Sequence, residues 1–325
     1  MIIPNYPLVS VIIPVFNRKH LIQRSIYSVL NQTYKNLEVL VIDDASTDKT
    51  KEKVLEIKDS RLKYFRNEKN LGPSGSRNKG IKLSSGELIA FQDSDDEWIN
   101  NKLEKQINLL FNSPEDVAVV YCGMDFIDNQ TGKKIGENLE EVNFRENFTK
   151  GSFFLTPSTQ TIMIKKNVLD EVDYFDERLY AQEDTELAIR VSKKYKYAFI
   201  NESLVKVTRN HEQLMGNSKN YILSKEIIYE KHKYYLSKKI LFECCKQIAN
   251  YYILNNDYKK ADEYIRKSFK HKFELKTLLQ YFGLTIAPFM TKCYYNKKYK
   301  GGIPLSSGLK SQRSNVDQPA GTAIR

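Results

Sequence analysis

Over its first two thirds the chain alternates short apolar runs with stretches of helical spacing. Leu8 to Phe16 (LVSVIIPVF) is almost wholly apolar and β-branched, which is the composition of a parallel strand covered on both faces. The spacing then predicts a helix from Arg18 to Asn31, with Leu21, Ile22, Ser25, Ile26, Val29 and Leu30 on one face. Further strands are expected at Leu37–Ile42, Leu62–Phe65, Leu88–Phe91 and Val117–Cys122. Helices are expected at Lys49–Ile57 and Asn100–Phe111, and Gly72–Ser85 reads as a loop running into a helix. Strands separated by helices of this length make βαβ units and a parallel sheet. Right-handed crossovers put the loops that follow the strands along one edge, where open α/β sheets bind ligands.

Beyond Asp128 the pattern changes. Asp128–Lys133 (DNQTGK) is a hairpin turn, Gln160–Ile164 a strand, and Tyr180–Lys194 contains a helix with Leu187 and Val191 one turn apart. From about Tyr221 the chain is helical and rich in Lys, Tyr, Phe and Leu, with Asn255, Asn256 and Asp257 separating two helices. Asp257–Phe269 has the look of one helical repeat unit, and a single copy makes no array. Ser306–Arg325 is polar and nearly free of aromatics, a disordered tail or an appended segment. The expected division is a domain over 1–218, a basic helical domain over 219–300 and the tail over 301–325.

Composition excludes disorder of the whole: the 325 residues are 41% hydrophobic and 12% aromatic. No run approaches the ~18 apolar residues of a membrane span, and Met1–Pro7 lacks a secretory pattern, so a cytoplasmic protein is expected. Cys122, Cys244, Cys245 and Cys293 lack metal or disulfide spacing and read as reduced thiols. The net charge of +11 is localised, because residues 221–300 hold 17 basic and 7 acidic side chains while residues 1–220 are balanced. Such a block favours an anionic partner, either a membrane surface or a phosphate-bearing acceptor.

Two acidic clusters follow expected strands: VIDDAS, with Asp43, Asp44 and then Asp48, and FQDSDDEW, with Asp93, Asp95 and Asp96. Carboxylates crowded in one loop repel one another unless a cation or donor groups neutralise them. Mg²⁺ and Mn²⁺ suit oxygen ligands and take one or two carboxylates plus substrate phosphate oxygens. Acids at a helix N-terminus, which favour the macrodipole, are the alternative.

Taken in order, VSVIIPVFNR, SVLNQTY, VIDDASTDKT, NLGPSGSRNKGI, SSGELIAFQDSDDEW and the Gln182–Leu187 segment QEDTEL resemble the family 2 glycosyltransferases over roughly residues 8 to 212. The resemblance implies an α/β GT-A fold, with a Rossmann-like, mostly parallel sheet flanked by helices and followed by an all-α region. It also implies a nucleotide-sugar donor and transfer with inversion at the anomeric carbon.

On this resemblance Pro14, Phe16 and Asn17 shape the first loop, and Asp44 accepts the imide N–H of uracil. Asp43 either caps its loop or meets the ribose. Gly72 and Arg77 belong to the glycine-rich turn, with Arg77 reaching the nucleotide or diphosphate or bracing the acidic loop. Asp93, Ser94 and Asp95 line the donor, and the metal lies on Asp95 or Asp96, where it stabilises the charge gained by the leaving diphosphate. Asp184 is the expected general base, with Glu183 the runner-up, since inversion needs a carboxylate on the face opposite the leaving group. Trp98, the single tryptophan, either lines the acceptor site or packs in the core. The family often has an Arg-x-His element at Arg209–His211. His211 is therefore either a third metal or diphosphate contact or a solvated histidine.

The expected activity is metal-dependent hexosyl or N-acetylhexosaminyl transfer from a UDP-sugar to a glycan or lipid-linked acceptor of surface polysaccharide, with Mn²⁺ or Mg²⁺ as cofactor. The basic helices would lie on the inner face of the cell membrane, each Lys or Arg there contributing about 1 kcal/mol; a helical bundle with solvated lysines is the alternative. A homo-oligomer is admitted beside a monomer, and no nucleic-acid-binding motif is present. The rivals are a polyprenyl-phosphate acceptor, a sugar nucleotidyltransferase, and an inactive domain that binds membrane or partner. A nucleotidyltransferase would want a glycine-rich, Arg-containing first loop, which PVFNRK does not supply.

Overall fold

The computed structural model describes residues 7–151, 156–209, 218–275, 277–279 and 283. The first half runs β1 (Val9–Val15), α1 (Ile22–Leu30), β2 (Leu37–Asp43), α2 (Thr50–Leu55), β3 (Leu62–Arg66), α3 (Gly72–Leu83) and β4 (Leu88–Phe91). These are the expected elements, except that the stretch from Gly72, expected to begin as loop, is already helical there and α1 is shorter at its N-terminal end. After them come β5 (Glu97–Trp98), α4 (Lys102–Phe111), β6 (Val117–Asp128), β7 (Lys134–Asn138), α5 (Phe144–Lys150), β8 (Met163–Lys165) and α6 (Lys166–Glu171). The chain continues through α7 (Glu183–Ser192), β9 (Lys196–Arg209), α8 (Ser218–His232), α9 (Lys238–Leu254) and α10 (Tyr258–Phe269).

The strands form one nine-stranded sheet in the order β3-β2-β1-β4-β8-β6-β9-β5, with β7 paired to β6. Strands β3, β2, β1 and β4 are mutually parallel, and β1, β2 and β4 are covered as their apolar sequences predict, while the edge strand β3 is half-exposed. The other half is mixed: β8 is antiparallel to both β4 and β6, and β9 is parallel to β6. The 128–133 turn is the expected hairpin: Asp128 Oδ1 accepts the Thr131 N–H at 2.7 Å and Gly132 takes φ 67°.

Alternation along β1 sorts the core. Val9, Val11, Ile13 and Val15 face a cluster with Ile22, Ile26 and Val29 of α1 and Leu103 and Ile107 of α4. Ile12 faces the other cluster with Ile81 of α3, and that cluster runs on through Phe144, Phe148 and Leu187 to Ile222, Ile240 and Ile265 of the C-terminal helices. Those helices therefore share apolar core with the sheet, and the Asp257 carboxylate caps α10 by accepting the Lys260 N–H. Cys122, Cys244 and Cys245 are free and buried; Cys293 lies outside the described residues. No helix among the described residues is long and apolar enough to cross a membrane.

The topology places the site. From β1 the chain moves outward to β2 and β3, then returns to β4 on the other side of β1. Strand order therefore reverses between β1 and β4, and a crevice opens at their C-terminal ends. The loops after β1, β2 and β4, which hold most of the candidate residues, meet there.

Candidate active site

Two loops on the β1–β2 side are fastened by their own polar side chains. Pro14 lies within β1 opposite Ile42. Asn17, at φ 53°, accepts the Thr47 N–H at 2.8 Å and the Asp48 N–H at 3.3 Å through Oδ1, and its own N–H donates to Ser46 Oγ at 3.0 Å. Phe16 beside it is 44% exposed. Asp43 is fully buried and accepts the Ser46 N–H at 2.7 Å, the Tyr64 hydroxyl at 2.5 Å and Arg66 Nη1 at 3.2 Å. It thus caps its loop, one of its two expected roles. Burial and the Asp43 hydrogen bond push the Tyr64 phenol up to about 12.

Asp44 accepts three hydrogen bonds from its own chain: Asn67 Nδ2 at 2.8 Å, the Leu71 N–H at 2.8 Å and the Gly72 N–H at 2.9 Å. It pins the start of α3, where Gly72 has φ 74° and a Cβ would meet the Tyr180 ring at 3.0 Å. A carboxylate offers about four acceptor positions, so room for one further donor remains.

Across the crevice Arg77 joins two acidic segments. Its Nη2 donates to Asp93 Oδ1 at 3.0 Å and its Nη1 to Glu183 Oε1 at 2.6 Å, while the guanidinium lies 5.7 Å from the Phe175 ring centre. Burial works against its charge, and the two carboxylates outweigh this and push its pKa up. The arginine thus braces the acidic loop, one of the roles expected of it. Burial also raises the Asp93 carboxyl, opposed by Arg77 and reinforced by Asp95. Ser94 is buried, and Asp95 is partly exposed with Arg18 Nε 3.8 Å away. Asp96 is buried and accepts the Thr208 N–H at 3.2 Å; burial, then Asp93 and Asp95, push its carboxyl up to about 8.

The third part is the turn that opens α7. Gln182 sits at φ 59° before Glu183, a left-handed conformation uncommon in residues with a side chain. Asp184 is partly buried and lines a small recess with Val119, Pro157, Ile162, Ile164 and Leu187. Burial, then the charge of Glu183, push its carboxyl up to about 7, although the Thr185 N–H donates to it at 2.6 Å. Such a group can accept a proton near neutrality.

Trp98 is packed in the interior, 5% exposed, with its indole N–H on the Gln160 carbonyl at 3.2 Å and Lys102 Nζ 3.7 Å from its ring centre. His211 lies outside the described residues. Its neighbour Arg209 stacks on Phe126 at 4.2 Å. Sequence reasoning missed the part played by α1. Arg24 Nη2 holds the Asp95 carbonyl at 2.8 Å and Thr208 Oγ1 at 3.0 Å, and Ser25 Oγ holds the Asp93 carbonyl at 2.9 Å. The only signal was an Arg-Ser pair on the helix after the first strand.

Among the described residues no group of three or more His, Cys, Asp or Glu is gathered as a metal site. Asp95 nevertheless raises the proton affinity of Asp93, and Asp93 and Asp95 together raise that of Asp96. That excess of negative charge, on oxygen donors alone, fits a hard divalent cation whose other positions are substrate oxygens.

Comparison with known proteins bears on the family and the fold. Residues 10–173 match the family model described as glycosyl transferase family 2. Over 124 residues the chain is 48% identical to the UDP-Glc:alpha-D-GlcNAc-diphosphoundecaprenol beta-1,3-glucosyltransferase WfgD of Escherichia coli, covering 38% of this chain and 48% of that enzyme. The chain thus spans about half the length of that relative. It is 31% identical over 289 residues, 84% of this chain and 92% of the other, to the GalNAc(5)-diNAcBac-PP-undecaprenol beta-1,3-glucosyltransferase of Campylobacter jejuni. Among solved structures, S. aureus TarS 1-349 in complex with UDP-GlcNAc superposes with a TM-score of 0.64 at 18% identity, covering 90% of this chain and 91% of that one. That likeness speaks to fold alone, and the fold is the expected GT-A class. From its sequence match and the site at the β1–β4 crevice, the chain belongs to glycosyl transferase family 2.

Proposed function

We propose that the chain transfers a hexosyl or N-acetylhexosaminyl group, with inversion, from a UDP-sugar to a hydroxyl of a lipid-linked glycan in surface-polysaccharide assembly. The observation that carries this reading is the Arg77 bridge, which holds the acidic loop after β4 against the turn bearing Asp184. The E. coli relative is named for a UDP-Glc donor, and both it and the C. jejuni relative for undecaprenol-linked acceptors, which supports a UDP donor and a lipid-linked acceptor here.

In this mechanism the loops fastened by Asn17, Asp43 and Asp44 receive the nucleotide, and Phe16 offers it an apolar face. Asp184 accepts the proton of the acceptor hydroxyl while that oxygen attacks the anomeric carbon. The bond from that carbon to the diphosphate breaks on the opposite face, and its electron pair leaves with UDP. Mn²⁺ or Mg²⁺ held by Asp95 or Asp96 would neutralise charge on the departing diphosphate. Arg77 keeps Glu183 occupied as an ion-pair partner, which leaves Asp184 as the carboxylate available for proton transfer. The basic helices from residue 219 onward, which share core with the sheet, would lie against the anionic inner face of the cell membrane.

The test is thermal stabilisation and slow hydrolysis across a panel of nucleotide sugars, with Mn²⁺ or Mg²⁺ and with chelator. One UDP-sugar should stabilise the wild type and be hydrolysed, Asp95→Ala should lose the metal-dependent stabilisation, and Asp184→Ala should bind without turnover. Binding of no nucleotide sugar with either metal would overturn the reading.

A further inference from the structure

Two side chains at the end of α8, Lys231 and His232, reach α7, the helix whose first turn carries Asp184. Glu186, two residues further along α7, has no exposed side-chain surface. Its carboxylate accepts Arg190 Nη2 at 2.6 Å within α7, and Lys231 Nζ at 2.8 Å and His232 Nε2 at 2.9 Å from α8. Burial alone would raise its pKa, yet His232, Arg190 and Lys231 bring it down to about 2. Burial lowers the pKa of His232, so a neutral imidazole donates its Nε2–H to the carboxylate.

The same cations grip the segment before α7. Arg190 donates to the carbonyls of Val172 and Tyr174, and Lys231 also pairs with Asp176 Oδ2 at 3.0 Å. Asp173 and Tyr174 are both left-handed, at φ 61° and 53°, a conformation that surrounding bonds must hold in place. The next residue, Phe175, packs on the Arg77 guanidinium and exchanges two 2.9 Å hydrogen bonds with Asn78. Arg77 in turn holds Glu183. From α8, two connected routes therefore converge on Asp184: along α7 through Glu186, and through residues 172–176 to Arg77 and Glu183.

We propose that Lys231 and His232 are positioning residues for Asp184, acting through Glu186, so that the helices after residue 218 form part of the catalytic unit. This rests on Asp184 being the base. The family match ends at residue 173, so Glu186, Arg190, Lys231 and His232 all lie beyond it.

The experiment compares full-length wild type, Lys231→Met, His232→Gln and Lys231→Arg by amide hydrogen exchange and by UDP-sugar hydrolysis below their melting temperatures. In Lys231→Met and His232→Gln, exchange over 172–187 should accelerate while that of β1 and β4 is unchanged. Their kcat should fall by about ten- to a hundredfold with donor KM unchanged, the cost of a small misplacement of a reacting group. Lys231→Arg should restore both readouts, since it keeps the charge bridging Glu186 and Asp176. Acceleration confined to α8, with kcat within about twofold of wild type, would overturn the proposal and leave the cluster a staple of the fold. If the wild type turns over no nucleotide sugar, the reading of Asp184 fails on that ground, and exchange over 172–187 still accepts or rejects control of this segment by α8.

Discussion

Arg77 and Glu183 are 106 positions apart in the chain and meet at 2.6 Å, and the same guanidinium reaches Asp93 at 3.0 Å. One buried cation thus joins the loop after β4 to the turn that opens α7. A planar fork can serve two carboxylates at once, which an ammonium on a flexible stem does less well.

Arg77→Ala should cost about 3–5 kcal/mol, because it leaves two carboxylates in the crevice without their shared counter-ion. Arg77→Lys should recover part of the stability and little of the donor hydrolysis. Denaturant unfolding and turnover of the two variants check this together.

For Asp184 the folded carboxyl lies near 7 against an ordinary 3.8. Activity requires the deprotonated form, so kcat should rise with pH and level off above about 7. Between about 4 and 7 the native state holds a proton that the unfolded state has released, so this group's contribution to stability declines as pH rises. Asp184→Asn should therefore abolish turnover, and its melting temperature relative to wild type should increase across that window. A variant melting curve that tracks wild type at every pH would contradict the burial assigned to this carboxyl.

At Gly80 of α3 a Cβ would stand 2.5 Å from Ile12 Cγ2 of β1. Gly80→Ala should destabilise by about 1–3 kcal/mol through overpacking. The double variant Gly80→Ala/Ile12→Ala should lose less than the sum of the two single losses, which a double-mutant cycle measures.

Glu186→Ala should cost about 3–5 kcal/mol at neutral pH, because the charges around it lose their buried partner. The folded carboxyl lies near 2 against an ordinary 4.5, so its contribution is complete above about 4.5 and is lost as pH falls toward 2. The gap between variant and wild type should close over that acid range in urea titrations at stepped pH.

Much of the architecture was written locally. The β-branched runs at Val9–Val15 and Leu37–Asp43 became covered parallel strands because short β-branched runs favour extended backbone and a parallel sheet buries both their faces. Asn255–Asp257 stopped one helix and capped the next, as turn formers do. The acidic loops and the QED turn were legible as motifs because their chemistry depends on residue type and short spacing. The sequence reading did not anticipate β9, although it is the longest strand at 14 residues: few of its side chains are fully buried, so its apolar signal is weak. Nor did Gln160–Ile164 become a continuous strand, since Thr159–Thr161 wind into a 3₁₀ turn before β8.

Only the tertiary structure decided which of the candidates meet. Asp43 turned inward as a loop cap, Trp98 went to the core, and Arg24 reached across from α1 to hold the acidic loop. The sequence determined the periodicities, the turns and the supply of carboxylates, all of which are set within a few residues of chain. The order of strands in the sheet set the rest, since it brings Arg77 to Glu183 and buries Asp184, and a carboxyl's proton affinity depends on what surrounds it in space and not on what adjoins it in sequence.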